Sequence, residues 1–256
     1  MKRRLHVGMF LVTIVGWATL PALAGTAAET TGSSCPGLPT NAQLQQFLQH
    51  AAVGQEISGS LGPNTDAGGL FKGERMWGAI VNRDGRLCAF ITSTTDPTHV
   101  WPASQAIAKA KAFTANGLSL DDFVLSTARL YTFALPGHSL FGLNQSNAFN
   151  PLFLIPPGGS GGVGLIAGGI ITFGGGVPLY AGGTIIGGLG VSGDTACADH
   201  EIAKRVRDLA GLNPPGGPLV DDIVYEPDSI FAHPLCLNTV HNGVPRSANE
   251  VPVPLP

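Results

Sequence analysis

"GGLGVSG" (Gly187–Gly193) is the stretch on which the fold turns. Glycines at 188, 190 and 193 spell G-x-G-x-x-G, and "TACADHEIAKRVRDLAG" behind them reads as a helix. In a dinucleotide-binding fold the first of these glycines ends a strand of a parallel βαβ unit, and an acid about 20 residues on holds the ribose. Here Leu189 and Val191 carry an apolar run straight through the glycines, which places them inside a strand. The helix then runs into Asn213-Pro214-Pro215-Gly216 instead of a second strand. No G-K-[ST] occurs, so a P-loop is excluded as well. Glycines inside a strand let something approach closely: a neighbouring backbone, a packed helix or a flat ligand.

Working outward, "GGIITFG" (168–174), "GVPLYAG" (176–182) and "TIIGGLGVS" (184–192) read as three short strands. They lie in a segment, Leu130 to Gly193, without a single Asp, Glu, Lys or Arg. Its best apolar run, "VGLIAGGIITF", is far short of the roughly 20 residues of a membrane span. Upstream, "RMWGAIV" and "RLCAFITS" flank "NRDG". Asp84-Gly85 there predicts a tight primed hairpin turn with both residues at positive φ.

The helices follow from spacing. Leu44, Phe47, Leu48 and Ala51 sit at i, i+3, i+4 and i+7, and Thr40 or Asn41 can cap that helix. Pro102 opens a second helix with Ala106, Ile107, Ala110 and Phe113 as its apolar stripe, ended by Asn116-Gly117. Ser119 with Asp122 signals a further short helix. The order is helix, two strands, two helices, three strands, helix. Hairpins rather than crossover helices join the strands, so the expected class is α+β with one antiparallel sheet.

The N-terminus, "MKRRLHVGMFLVTIVGWATLPALAG", has a basic start, an apolar run and an Ala22-Leu23-Ala24 cleavage site. Residues 1–24 are therefore expected to be a signal peptide, for a periplasmic or secreted destination. Residues 25–39 read as a linker, 40–211 as the domain, and 212–256 as a C-terminal extension with little periodicity. Four cysteines, Cys35, Cys88, Cys197 and Cys236, suit two disulfides in an exported chain. Three connectivities are open; Cys35–Cys88 with Cys197–Cys236 is favoured, since each pair ties a terminal segment to the core. The spacings contain no C-x-x-C, which argues against a zinc cluster. Only 12% of residues are charged and the net charge is −3. That balance disfavours nucleic acid and anionic membranes, and so few charges point to surface covered in a homo-oligomer.

"MWGAIVNRDGRLCAF", "WPASQAIAKAKAFTAN" and "FGGGVPLYAGGTIIGGLGVSGDTACADHEIAKRV" together resemble the GlcG/HbpS heme-binding family. The resemblance spans roughly residues 42 to 211 and includes Lys111-Ala112, the Gly175–Leu179 strand, the Gly183–Gly193 stretch and Asp199. It implies a profilin-like α/β/α sandwich around a five-stranded antiparallel sheet. It also implies a homo-oligomer that binds heme or a related tetrapyrrole non-covalently, as carrier, sensor or accessory subunit. The other reading is an enzyme acting on heme, or on a small organic ligand, in the same cleft.

Heme needs an apolar slot and an axial His, Met, Tyr or Cys. The absence of C-x-x-C-H excludes covalent attachment. Among the histidines, His138, in a neutral loop with Phe133, Phe141 and Phe149 nearby in sequence, ranks first as ligand. His99, before the Pro102 helix, ranks second and His200 third. No residue takes a catalytic role: "GHSLFG" misses the G-x-S-x-G elbow by one residue. Asp199-His200-Glu201 reads as a solvated helix start suited to the helix dipole, not as a metal site.

Overall fold

The structure is a computed structural model and describes residues 35–54, 61–62, 65–150 and 162–246. The expected signal peptide and residues 25–34 of the linker lie outside these.

Helix α1 (Asn41–Ala52) starts on a full capping box, with Thr40 and Gln43 bonding each other's backbone N–H. Strands β1 (Trp77–Asn82) and β2 (Leu87–Thr92) form the expected hairpin. Its turn differs from the expectation. Of the loop residues only Gly85 has positive φ (79°), and its N–H donates to the Asn82 carbonyl. The paired strands also shift register between Ile80 and Val81 of β1, opposite Leu87–Ala89 of β2.

Helix α2 (Ser104–Gly117) follows, then 3₁₀ turns at Thr127–Leu130 and Thr132–Ala134. The short helix expected after Ser119 does not form. The Ser119 hydroxyl instead exchanges hydrogen bonds with the backbone of Leu125, and Asp121 accepts from the Ile185 N–H. The Ser119 side chain that would cap it is thus spent on the Leu125 backbone.

Strands β3 (Gly176–Ala181) and β4 (Thr184–Ser192) lead into α3 (Ala196–Leu209), capped by Thr195. A two-residue hairpin, β5 (Val240–His241) and β6 (Val244–Pro245), ends the described chain.

The main sheet has order β2-β1-β4-β3, all antiparallel. It has four strands, where five were expected. "GGIITFG" forms no strand: the Ile171 N–H donates to the Thr114 hydroxyl of α2. Its upstream neighbours make only a few backbone bonds to the Gly85–Leu87 edge and one bridge, Arg86 to Ile166.

Alternation sorts the strands into two faces. Ile80, Leu189 and Val191 pack with Leu44 and Leu48 of α1 and Ile202 and Val206 of α3. Trp77, Ala79 and Val81 pack with Ala108 and Ala112 of α2. The result is three layers, with α1 and α3 on one face and α2 on the other.

The glycines of β4 make the α2 layer possible. A Cβ on Gly190 would stand 1.9 Å from the Ala108 carbonyl oxygen, and one on Gly188 would stand 2.3 Å from that of Ala112. The helix backbone lies directly on the strand. This close approach, not a phosphate, is what G-x-G-x-x-G provides here.

Candidate functional site

Packing α2 backbone-first onto β4 turns the helix differently from its apolar spacing. Ala108, Ala112 and Ala115 are buried, while Ala106, Ile107 and Phe113 of the expected stripe are only half-buried. The outer apolar side therefore faces away from the sheet. It forms one wall of a cleft of about 440 Å³, closed opposite by Phe149, Ile170 and Ile171. Gly169 lets the segment close directly on α2 at the edge of this cleft. Its φ is +78°, and a Cβ there would come within 2.8 Å of the Ala110 Cβ.

Asn144 and Gln145 also line a second, adjoining lobe of about 350 Å³, together with Tyr131, Leu135, Phe141 and Phe173. Asn144 is held by the Thr172 hydroxyl, which donates to its side-chain oxygen at 3.2 Å. Among the described residues lining both lobes, none is charged. Two contiguous apolar lobes with aromatic walls fit a flat macrocycle, and their volumes lie in the range of ordinary ligand sites.

The three predicted histidines stand apart from one another. His138 is exposed on the loop between Leu135 and Phe141, the two residues that line the second lobe. His99 is exposed in a 3₁₀ turn, its Nε2 3.7 Å from Asp96. His200 is fully buried on α3, neither ring nitrogen completing a hydrogen bond, and burial holds its pKa below the ordinary value. None of the three lines either lobe. Tyr131 does, and a phenol is also a heme-ligand type. In sequence its one signal is an aromatic in "RLYTF".

Asp199 proves not to be solvated. It is 1% exposed; its Oδ1 accepts the N–H groups of Gly193 and Asp194, and its Oδ2 takes the Lys111 ammonium at 2.6 Å. Burial pushes this carboxyl up to about 6 against the pull of Lys111, and the same burial lowers Lys111. The two residues thus tie α2, the end of β4 and the start of α3 into one buried junction. Next to it on α2, Lys109 places its ammonium 3.9 Å above the Phe90 ring, and burial lowers it to about 8.

The rest of α3 is equally buried, because the C-terminal extension covers it. Arg207 makes paired bonds to Asp221 at 3.0 and 2.6 Å. Asp222 receives Lys204 at 2.6 Å and binds His241 and Asn242, so several cationic and hydrogen-bonding partners hold its carboxyl far below the usual range despite burial. The extension was read as aperiodic. Its "HNGV" nevertheless carries an Asn-Gly hairpin signal, and Asn242 and Gly243 both take positive φ between β5 and β6.

Disulfides join Cys35 to Cys88 and Cys197 to Cys236. Beside the second, His233 is buried against the Tyr131 ring at 4.9 Å. Burial lowers its pKa to about 4, so it is neutral at pH 7. No helix among the described residues is long and apolar enough to cross a membrane.

No curated protein matches the chain by sequence. Among solved structures, a PduOC:heme complex is 24% identical, with 66% of this chain and 89% of that chain covered and a TM-score of 0.42. Protein ORFY of Klebsiella pneumoniae is 20% identical, with coverages of 66% and 86% and a TM-score of 0.43. A double mutant of Streptomyces reticuli HbpS is 17% identical, with coverages of 76% and 98% and a TM-score of 0.42. A family model described as haem degrading protein HbpS-like matches residues 70–208, which run from the loop before β1 to the last turn of α3 and make up more than half of the chain. The chain belongs to the HbpS-like family.

Proposed function

We propose that the protein is exported and binds heme, or a related tetrapyrrole, non-covalently in the two-lobed cleft outside α2. The carrying observation is a continuous, uncharged, aromatic-walled cleft in a chain of the HbpS-like family. A macrocycle buries its large apolar faces there. His138 is the first choice of axial ligand, because its loop carries the lobe residues Leu135 and Phe141. Tyr131 is the second. His99 is engaged by Asp96, and His200 serves only if α3 is uncovered. Exposed Leu135, Leu140 and Phe141 beside the cleft support a homo-oligomer in which a second copy covers the bound ligand.

The role is that of a carrier, sensor or accessory subunit. The family description favours a second reading, turnover of heme. Turnover needs a placed acid or base, and among the described lining residues Tyr131 is the one that titrates.

Hemin titration followed by absorption tests the proposal. The wild-type protein should give a Soret band distinct from that of free hemin. Ile107→Glu, which puts a charge on a half-buried wall position, should weaken binding by about tenfold or more with unchanged circular dichroism. His138→Ala or Tyr131→Phe should shift the band. A wild-type spectrum identical to free hemin refutes binding; an unshifted band in both ligand variants refutes the ligand assignment alone. Loss of the Soret band with a reductant and oxygen, at a rate above that of free hemin, would favour turnover.

A further inference from the structure

His233 and Cys236 stand three residues apart as H-x-x-C, Cys197 is distant from both in sequence, and no C-x-x-C occurs. The fold brings one ligand atom from each to within 4.8 Å of the other two, in a buried pocket. Cys197 lies in the first turn of α3, while Cys236 and His233 come from the extension that covers it. We propose that this trio is a thiol-gated metal site: closed as a disulfide, and open to Zn²⁺ or a similar borderline cation once that disulfide is reduced.

Three features beyond proximity support the assignment. The first is the tautomer of His233. Its Nδ1 lies 2.8 Å from the Pro234 carbonyl oxygen, which can only accept, so Nδ1 carries the proton. Nε2 then holds the lone pair; among the described residues it accepts one long hydrogen bond, 3.4 Å from the Gly174 N–H, which a cation bound at Nε2 would displace. A ring nitrogen fixed by a backbone carbonyl so that the other is free to bind is the usual arrangement of a histidine metal ligand.

The second is the setting of the sulfurs. The Cys197 N–H donates to Cys236 Sγ at 3.2 Å, and Cys197 sits at a helix N-terminus. Both the amide and the helix dipole favour thiolates, the form a metal requires. The third is the donor set. Two thiolates and an imidazole are a zinc set that leaves one tetrahedral position for water or a further ligand.

Opening the site is a balanced exchange. A dithiol attacks the Cys197–Cys236 bond, becomes its own disulfide, and leaves two cysteine thiols. Cation binding then displaces the two thiol protons into solvent.

The test uses the full mature chain and Co²⁺ as the probe. The chain is reduced with a dithiol, freed of it under anaerobic conditions, and titrated with Co²⁺. One bound Co²⁺ per chain is expected, with a near-ultraviolet thiolate-to-cobalt charge-transfer band that Zn²⁺ bleaches. The oxidised chain should show no such band. Cys197→Ser should abolish it. His233→Ala should weaken Co²⁺ binding by at least about tenfold, the low end of what an outer-shell partner alone is worth. Cys88→Ser should retain the band, which separates this site from the other disulfide. The proposal is overturned if the reduced chain gives no band, if the band survives in Cys197→Ser, or if His233→Ala binds as tightly as wild type. It is equally overturned if circular dichroism shows that reduction unfolds the chain and the cation does not restore it.

Discussion

At the scale of the residue, the glycines of β4 illustrate how one atom governs a layer. Gly188 and Gly190 face α2, while Leu189 and Val191 between them face α1 and α3, so a single strand offers a flat face to one side and a branched face to the other. Gly190→Ala inserts a methyl where the Ala108 carbonyl oxygen would stand 1.9 Å away. Neither atom is the end of a flexible side chain, so helix and strand must separate. The expected cost is about 3 kcal/mol, the upper end of ordinary overpacking, read as a lowered urea midpoint. A midpoint within about 0.5 kcal/mol of wild type would mean that α2 does not rest on β4 as described. Asp199 makes the complementary point. A helix-start acid in sequence, it becomes through Lys111 the junction of three elements.

At the scale of the element, α3 and the extension form one unit. An amphipathic surface helix keeps its charges in water, yet Lys204, Arg205 and Arg207 are all fully buried. Arg205 is satisfied by the carbonyls of Ala51 and Thr65 and by Glu201, whereas Arg207 and Lys204 rely on partners that arrive late in the chain: Asp221 and Asp222, and the hairpin turn residue Asn242, whose Oδ1 takes the Lys204 ammonium at 2.7 Å. Asp222→Ala removes the carboxylate that joins α3 to the hairpin and leaves Lys204 with less compensation. Breaking a buried pair in this way costs about 3–5 kcal/mol. The loss should be local before it is global, so amide exchange at Val240–Val244 should accelerate more than exchange in β1 or β4. Equal acceleration across sheet and hairpin would show that the hairpin is not a separable clamp.

At the scale of the whole molecule, the buried titrating groups set how stability changes with pH. His200 and His233 are both held below their ordinary value by burial, His233 at about 4. The unfolded chain takes up protons on both near pH 6.5, whereas the folded chain does not. The unfolded state therefore binds more protons, and stability rises with pH through that region. Asp199 acts in the opposite sense: raised to about 6, it keeps a proton in the folded chain that the unfolded chain gives up near pH 4, so its contribution falls with pH between those values. Above pH 6 the histidines dominate. Between pH 7 and pH 6 the protein should lose about 0.5–1 kcal/mol per histidine. Urea midpoints across that interval check this, and His233→Asn should flatten the slope. A midpoint that holds or rises as the pH falls from 7 to 6 would contradict it.

Sequence alone determined the elements whose signals are local. The Asp-Gly turn and short apolar runs placed β1 to β4, the 3.6-residue spacing placed α1 and α2, and a helical stretch behind the glycines placed α3, because strand pleat and helix turn act over a few residues. The family motifs also lie in these elements, so the kinship was legible before any geometry. Tertiary structure decided what depends on partners distant in the chain. It turned α2 so that its apolar stripe lines a cleft, since the β4 glycines admit the helix backbone and outweigh the spacing of its side chains. It drew the segment from 168 to 174 out of the sheet, because Thr114 on α2 takes the Ile171 N–H. It buried the charges of α3, because a carboxylate's neighbours, not its position in a helix, determine whether it stays in water. Those same long-range contacts brought Tyr131 and Cys197 to His233 and Cys236 at one end of α3, where no spacing in the sequence would have joined them.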